Sequence, residues 1–237
     1  MFTIDHTVPP SGVNQIELLI NKGSSADSCS VDVWGASLTL ATDAHLPYQW
    51  VNTSTDYDAD PAKFPAYLRF DGVDDALQTG NIDFTATDKM TVWAGVTKLS
   101  DAVTGTVVEL SASKNANNGV FALFAPLTGG SPDISWYSKG TNEREASSTS
   151  ESAPVTRVIT GEGNISGDIS RLRVNGAVVQ TQTADQGTGN FGNYPLYIGV
   201  RTATSLFFSG RLYSLIVRGA QTPLSQIEAT ELYIKQK

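Results

Sequence analysis

Two glutamates at alternate positions, Glu143 and Glu145, have the residue type and spacing for acid–base chemistry. Residues i and i+2 of a strand share a face, and glycoside hydrolases work with two carboxyl groups flanking one bond. The spacing E-x-D-x-x-E, which would place a nucleophile and an acid on one strand face, is absent from the sequence. The Ser- and Thr-rich residues through Ser152 favour a solvated loop, so we predict no catalytic pair here.

Alternate aspartates Asp56, Asp58 and Asp60 could supply oxygen ligands to a calcium ion. Their segment is not an EF-hand loop, because Pro61 stands where that loop needs glycine and Tyr67 where it needs glutamate. A solvated loop with Asx turns is the other interpretation. Calcium is therefore the one cofactor that the sequence leaves open.

A second acidic group, Asp71, Asp74 and Asp75, surrounds Gly72. Asp-Gly is a turn dipeptide, and aspartate side chains accept hydrogen bonds from nearby backbone N–H groups. We expect a turn rather than a catalytic site.

Nucleophilic catalysis has few candidate residues in this sequence, which contains His6, His45 and the single cysteine Cys29. No nucleophile elbow or oxyanion loop surrounds any of them. We therefore predict no catalytic residues and no enzymatic activity.

Aromatic residues on loops are the remaining binding candidates, because sugar rings stack their C–H faces on Trp and Tyr. Ordinary packing or a subunit contact is the alternative role for each. Trp136 and Tyr137 share the residue type, whereas Trp34, Phe70, Trp93 and Phe208 lie in alternating strands and are assigned to the core. The predicted ligand-binding residues are Tyr48, Trp50, Tyr57, Phe191 and Tyr194.

Composition and charge exclude several classes of partner. With 24 acidic and 16 basic residues the chain carries a net charge of −8, and it has no basic cluster to bind nucleic acid. The segment Met1 to His6 lacks the basic and apolar regions of a signal peptide, and no apolar run approaches the roughly 18 residues of a membrane span. We expect cytoplasmic synthesis, no nucleic-acid partner and no membrane insertion.

The distribution of strands and turns predicts an all-β fold. Met90–Leu99 alternates apolar with small or polar residues, as a central strand does, and Asn175-Gly176 predicts a two-residue hairpin turn. Asp71-Gly72 predicts a second hairpin, and Thr222-Pro223 predicts an N-cap and a first helical residue. Together these signals predict a two-sheet antiparallel β-sandwich with one short C-terminal helix.

Residues 1–30 differ from the remainder of the chain. They contain Pro9-Pro10, one apolar run from Ile16 to Ile20, and a small polar stretch from Gly23 to Ser28. This pattern predicts an arm with one strand and a flexible joint. The domain proper is predicted over residues 31–237.

The closing strand Phe208–Val217 has the form F-x-G-x-Φ-x-x-Φ-x-Φ, where Φ is apolar. It resembles the last strand of laminin-G-like, concanavalin A-like jelly rolls. We predict that Phe208, Leu212, Leu215 and Leu224 pack the last strand and the helix onto the sandwich. Further marks of this family, in the same order, are Val33–Ser37, Leu68–Asp75, Thr91–Ala94, Leu172–Gly176 and Leu196–Gly199.

Two sequence segments, Gly187–Gly199 and Leu215–Ala220, look most like parts of domains of bacteriophage tail or fibre proteins. The resemblance implies a non-enzymatic virion protein that displays a lectin-like jelly roll for attachment to a host-surface glycan or receptor. It also implies that residues 1–30 dock onto other virion subunits and that the chain forms a homo-oligomer. A purely structural decoration or fibre module, and a polysaccharide-degrading enzyme, are the alternatives, because one fold hosts many functions.

Overall fold

The computed structural model describes residues 67–235, all within the compact unit Pro65–Lys237. The predicted arm, residues 1–30, lies outside the described residues, so its boundary and its role remain predictions. The same holds for the segment with Val33–Ser37 and for the predicted site residues Tyr48, Trp50, Tyr57, Asp56, Asp58 and Asp60. Within residues 67–235, no helix has the length and apolar character to cross a membrane.

Within residues 67–235, twelve strands form two six-stranded antiparallel sheets, which confirms the predicted two-sheet sandwich. Sheet A has the order β1-β12-β3-β8-β9-β10, and sheet B has the order β2-β11-β4-β5-β6-β7. The strands are β1 (Leu68–Asp71), β2 (Leu77–Asp83), β3 (Lys89–Lys98), β4 (Thr106–Leu110), β5 (Val120–Phe124), β6 (Ile134–Lys139), β7 (Glu143–Ser148), β8 (Val155–Asn164), β9 (Ile169–Val174), β10 (Ala177–Gln182), β11 (Asn193–Ile198) and β12 (Ser209–Arg218).

The core between the sheets is built from alternate residues of the central strands. Phe121 of β5 and Trp136 of β6 are fully buried, and their rings stack with centroids 5.4 Å apart. Gly161 of β8 makes room for the indole, because a Cβ there would lie 2.2 Å from ring atoms of Trp136. Phe70 and Phe208 also belong to this cluster, which confirms their assignment to the core.

The predicted hairpin at Asp71-Gly72 is wrong. β1 pairs with β12 in sheet A, whereas β2 pairs with β11 in sheet B, so the chain crosses between the sheets at this turn. The turn itself is confirmed, since Gly72 has φ of 83° and the Asp71 carboxylate accepts a hydrogen bond from the Val73 N–H. A turn dipeptide specifies local geometry and leaves the pairing partner of the next strand undetermined.

The hairpin at Asn175-Gly176 is confirmed. β9 and β10 pair across it, and both turn residues have positive φ, 51° and 90°. These are the backbone conformations that a two-residue turn between twisted strands requires.

The helix α1 (Leu224–Lys235) packs on the outer face of sheet A. Ile227 and Ile234 of the helix cluster with Trp93 and Val158 of the sheet, so Trp93 is buried beneath the helix instead of between the sheets. Leu224 is 56% exposed, and its predicted packing role is therefore wrong. The buried face of the helix begins at Ile227, three residues later, so the first turn does not contact the sheet at Leu224.

The start of α1 also differs from its predicted cap. The helix begins at Leu224, and the carbonyl of Pro223 accepts hydrogen bonds from the N–H groups of Gln226 and Ile227. The Thr222 hydroxyl instead donates to Thr91 Oγ1 at 3.0 Å, and this bond ties the helix entry to β3.

A buried ion pair fixes α1 to the sheet. Glu231 lies on the sheet-facing side of the helix, and Arg173 of β9 donates to it from Nε at 2.8 Å and from Nη2 at 3.1 Å. Thr160 of β8 donates a third hydrogen bond, at 2.8 Å. Both charged side chains are about 5% exposed, so the pair is shielded from water.

Candidate functional site

A polar groove of about 440 Å³ lies where an edge strand of sheet B, β7, approaches an edge strand of sheet A, β10. We call it the edge groove. Ser147 joins its two sides by donating to the Gln180 side-chain oxygen from its backbone N–H at 2.5 Å and from its hydroxyl at 3.4 Å. The groove is lined by Glu143, Arg144, Glu145, Ser147, Gln180, Gln182 and Ala184.

The segment that forms one side of the edge groove was predicted as a solvated loop, and that prediction is wrong. Glu143–Ser148 is strand β7, which pairs with β6 from Ile134↔Ser148 to Lys139↔Glu143. Its polar composition is that of an edge strand with one face toward solvent, where hydrophilic side chains are tolerated. The i, i+2 alternation of Glu143 and Glu145 therefore does place both carboxylates on one strand face.

Neighbouring strands of sheet B fix the position of Glu145. Tyr137 of β6 is its direct cross-strand partner, and the Tyr137 hydroxyl donates to Glu145 Oε2 at 2.5 Å. Ser135 donates to the other carboxylate oxygen at 2.9 Å. Burial raises the pKa of the Tyr137 hydroxyl strongly, and the adjacent Glu145 charge raises it further, so the phenol stays a hydrogen-bond donor.

Lys114 connects the second carboxylate of the groove to the same network. Its ammonium lies 2.9 Å from Glu143 Oε2 and 4.0 Å from the centroid of the Tyr137 ring. A cation over an aromatic face and beside a carboxylate is held by both interactions. Glu143 and Glu145 are thus positioned by one basic and two hydroxyl groups.

A fully buried carboxyl group, Glu109 of β4, is joined to this network because it accepts a hydrogen bond from the Lys114 N–H. Burial raises the pKa of Glu109, although Arg201 opposes the shift by donating from Nε at 2.7 Å and from Nη2 at 3.0 Å. Glu109 does not line the edge groove. Its ion pair holds the Arg201 loop against the outer face of sheet B.

Two groups in the edge groove retain hydrogen-bonding capacity. Arg144 donates from Nη1 to the Glu143 carbonyl at 2.6 Å, but its buried Nε has no hydrogen-bond partner among residues 67–235. The side-chain amide of Gln182 likewise makes no hydrogen bond to another residue in that range. A guanidinium, an amide and two carboxylates along one groove are the groups that bind sugar hydroxyls.

The predicted ligand-binding residues Phe191 and Tyr194 lie away from the edge groove. Phe191 is 1% exposed, and its ring packs edge-on against Phe121 in the core. Tyr194 of β11 is half-buried against the core cluster. Of the other aromatic residues considered, Trp136 is core, whereas Tyr137 supports the groove from below.

Asp71, Asp74 and Asp75 form an acidic cluster whose carboxylate oxygens lie within 4.8 Å of one another. The Asp71 N–H donates to Asp75 Oδ2 at 2.8 Å, as expected for an aspartate turn. All the carboxylates are at the surface, where hydrogen bonds within the turn account for their arrangement. The calcium prediction concerned Asp56, Asp58 and Asp60, outside the described residues.

Sequence reasoning missed Arg144, Gln180 and Gln182 as groove residues. Gln180 and Gln182 alternate along β10, as Glu143 and Glu145 alternate along β7, and this period of two was the available signal. Nothing in the sequence says that these two strands form neighbouring sheet edges.

Comparison with known proteins gives fold relatives only. No protein-family model matches the chain, and no curated protein matches it. A heptameric SAP-like pentraxin from Limulus polyphemus aligns with 69% of this chain and 80% of its own, at 13% identity and a TM-score of 0.53. The receptor binding domain of botulinum neurotoxin D aligns with 69% of this chain and 43% of its own, at 11% identity and 0.53. The CBM40 of the Ruminococcus gnavus IT-sialidase aligns with 65% of this chain and 98% of its own, at 14% identity and 0.49. This chain shares the two-sheet jelly-roll fold of the pentraxin and of the neurotoxin domain.

Proposed function

We propose that this protein is a non-enzymatic, lectin-like module of a bacteriophage virion that attaches to a glycan on the host surface. The edge groove is the proposed glycan site. In this proposal residues 1–30 dock the chain onto other virion subunits, and the chain forms a homo-oligomer. The proposal that the protein belongs to a bacteriophage virion is supported by the sequence segments Gly187–Gly199 and Leu215–Ala220, which look like segments of virion proteins.

The observation that carries the proposal is the set of polar groups that converge on the edge groove. Sugars present many hydroxyls, and their recognition needs donors and acceptors held in fixed positions. Gln182 supplies an amide donor without a partner among residues 67–235, and Arg144 contributes a guanidinium to the groove lining. Glu143 and Glu145 supply acceptors that Lys114 and Tyr137 hold in place. Receptor attachment is also what the named botulinum neurotoxin domain does on this fold.

The carboxyl groups of the protein favour glycan binding without hydrolysis. A glycosidase needs one carboxyl group that stays protonated as the acid. Among the described residues, burial raises the pKa of Glu109 and of Glu162. Neither lines the edge groove, and each is paired with an arginine, Arg201 or Arg171.

A glycan array that includes bacterial surface polysaccharides, probed with the full chain, tests the proposal. Binding should weaken by roughly tenfold or more in Gln182→Ala and in Arg144→Lys, because each loses one or two hydrogen bonds to the sugar. Gln78→Ala is the matched control, since Gln78 is an exposed glutamine on the edge strand at the other side of sheet B. It should bind like the unmodified chain.

Two results would reject this function. If the chain binds no glycan while particles still assemble through it, attachment is wrong. If it releases sugars from a polysaccharide and Glu145→Gln abolishes the release, the protein is an enzyme.

A structural fibre or decoration module is the second candidate. Exposed apolar side chains favour it, namely Val178 and Val179 on the edge strand β10 and Leu224 and Leu232 on α1. Sedimentation of the full chain measures the oligomeric state directly. A stable multimer that Val179→Lys or Leu232→Lys dissociates, without any glycan binding, would favour this candidate over attachment.

A further inference from the structure

A second, partly enclosed cavity of about 310 Å³ lies on the outer face of sheet A, beside the C-terminal end of α1. We call it the helix-end cavity. Its floor includes Gly95 of β3, where a Cβ would lie 2.6 Å from Ile234 Cγ2. The lining residues are Gly95, Val96, Thr156, Arg157, Val158, Asn175, Tyr213, Ile234 and Lys235.

A β-bulge places an aromatic ring at this cavity. In the pairing of β12 with β3, Leu212 is opposite Val96 and Ser214 is opposite Gly95, so Tyr213 is the extra residue. Leu212 and Leu215 both pack into the core, which leaves Tyr213 on the outer face. Bulges redirect side chains and often occur beside functional sites.

Hydrogen bonds hold the Tyr213 ring in a defined position. Its hydroxyl lies 2.9 Å from Thr97 Oγ1, and that atom lies 2.7 Å from Thr156 Oγ1. Tyr67 packs against the ring with centroids 5.6 Å apart. A fixed aromatic ring beside an apolar floor suits the flat face of a ring-shaped ligand.

The charge of the helix-end cavity is opposite to that of the whole chain. Among residues 67–235 no carboxylate lines it, whereas Arg157 and Lys235 do. Arg157 is paired with Glu151 through Nε, so its charge is largely balanced. Lys235 makes no ion pair or hydrogen bond with another residue in 67–235, and its full positive charge exceeds the partial charge of about −0.5 at the end of a helix.

Asn175 adds a polar group at the rim. Its Oδ1 accepts a hydrogen bond from the Val158 N–H at 3.0 Å, and its Nδ2 donates to no other residue of the described range. The rim therefore offers an ammonium, a guanidinium and an amide donor. All three groups match the acceptor oxygens of a carboxylate.

We infer that the helix-end cavity binds a small ligand made of a single ring that bears a carboxylate. The ring lies on Tyr213, and the carboxylate pairs with Lys235. A volume near 310 Å³ is at the small end of ligand pockets and admits one ring. Sugar acids and aromatic acids share this chemistry, and this inference does not depend on glycan binding at the edge groove.

Titration calorimetry on the full chain, with glucuronate and benzoate as probes, tests the inference. Glucose and benzamide are the uncharged counterparts, and they should bind at least fivefold more weakly because they lack the charged partner for Lys235. Binding of glucuronate alone identifies a sugar-acid site, and binding of benzoate alone identifies an aromatic-acid site. Either result supports the inference.

Two variants locate the bound probe. Lys235→Gln should weaken it by roughly 5- to 10-fold, and Thr156→Trp should abolish binding by filling the mouth of the cavity. Lys89→Gln, at the other end of β3, is the matched control and should leave affinity unchanged. Urea unfolding of each variant confirms that it is folded.

The inference is overturned if neither carboxylate binds at about 10 mM. It is equally overturned if Lys235→Gln binds the probe as tightly as the unmodified chain, or if the uncharged counterparts bind as well as the acids.

Discussion

The edge groove and the helix-end cavity differ in both charge and construction. Counting the described residues alone, the open groove contains two carboxylates beside one guanidinium, whereas the partly enclosed cavity contains two cations and no carboxylate. Sheet B positions the groove glutamates through Tyr137, Ser135 and Lys114. The cavity instead needs α1, which one buried ion pair holds against sheet A. Two sites that rest on separate supports should respond separately to substitution.

Breaking the ion pair beneath α1 should have the largest effect. Glu231→Met leaves Arg173 buried without a counter-charge, which costs about 3–5 kcal/mol of unfolding free energy. Ile234, one turn along, then loses its position, so the helix-end cavity should lose its ligand while the groove keeps its affinity. Urea unfolding and titration of both sites measure this.

Two controls accompany that substitution. The double variant Glu231→Met with Arg173→Met should recover most of the stability, because no charge then remains unpaired. Glu228→Gln, on the exposed side of the same helix, should change stability by less than about 0.5 kcal/mol. Equal losses of affinity at both sites would show that the two are not independent.

Removing the hydrogen bond that positions Glu145 should have a smaller effect, and this effect should fall on the edge groove instead of the helix-end cavity. Tyr137→Phe deletes the hydrogen bond to Glu145 and should cost about 1.5–3 kcal/mol, as a bond to a charged group does. Glycan affinity at the groove should fall, and affinity at the helix-end cavity should stay constant. Tyr197→Phe, on β11 of the same sheet, is the matched control, and a loss of cavity affinity in Tyr137→Phe would contradict the comparison.

A substitution outside both sites, whose effect on stability depends on pH, should have the smallest effect. Burial alone would raise the pKa of Asp88, but hydrogen bonds from Lys89 and Ser166 outweigh it and lower the pKa to about 2. A lowered pKa means that the carboxylate stabilises the folded state above its unfolded pKa of about 3.9, and that this contribution disappears as pH falls toward 2. Asp88→Asn should therefore cost about 1 kcal/mol at pH 7 and almost nothing near pH 2.

Urea unfolding of Asp88→Asn at pH 7, 4 and 2.5 measures this difference. Asp74→Asn, at an exposed side chain, is the matched control and should change the unfolding free energy at pH 7 by less than about 0.5 kcal/mol. Affinity at both sites should be unchanged at pH 7. A deficit that persists unchanged at the lowest pH would mean that the charge of Asp88 is not what stabilises the fold.

Local patterns in the sequence predicted much of the fold. The alternation in Met90–Leu99 matches β3 (Lys89–Lys98), and Asn175-Gly176 forms the predicted hairpin turn. The same patterns failed where a long-range partner decides the outcome. β7 resembles a loop because its outer side chains are polar, and β2 lies in the other sheet although a turn precedes it.

The irregular closing strand illustrates the limit. Leu212 alternates poorly with its neighbours in the sequence, and the cause is the bulge at Tyr213. The sequence showed the irregular alternation but did not indicate a bulge, because a bulge is defined only by the pairing with the partner strand β3. The candidate site residues on β10 were missed for the same reason.

By itself, the sequence determined the all-β class, most of the strands but not β7, one hairpin turn, the closing helix and the apolar residues Phe70 and Phe208 of the core. Periodicity and turn residues report the local environment of the chain, so these features need no knowledge of distant partners. Only the tertiary structure decided that β7 faces β10, that Tyr213 leaves the core, and that Lys235 lines the helix-end cavity together with Tyr213. These arrangements depend on contacts between residues far apart in sequence, which no local pattern encodes.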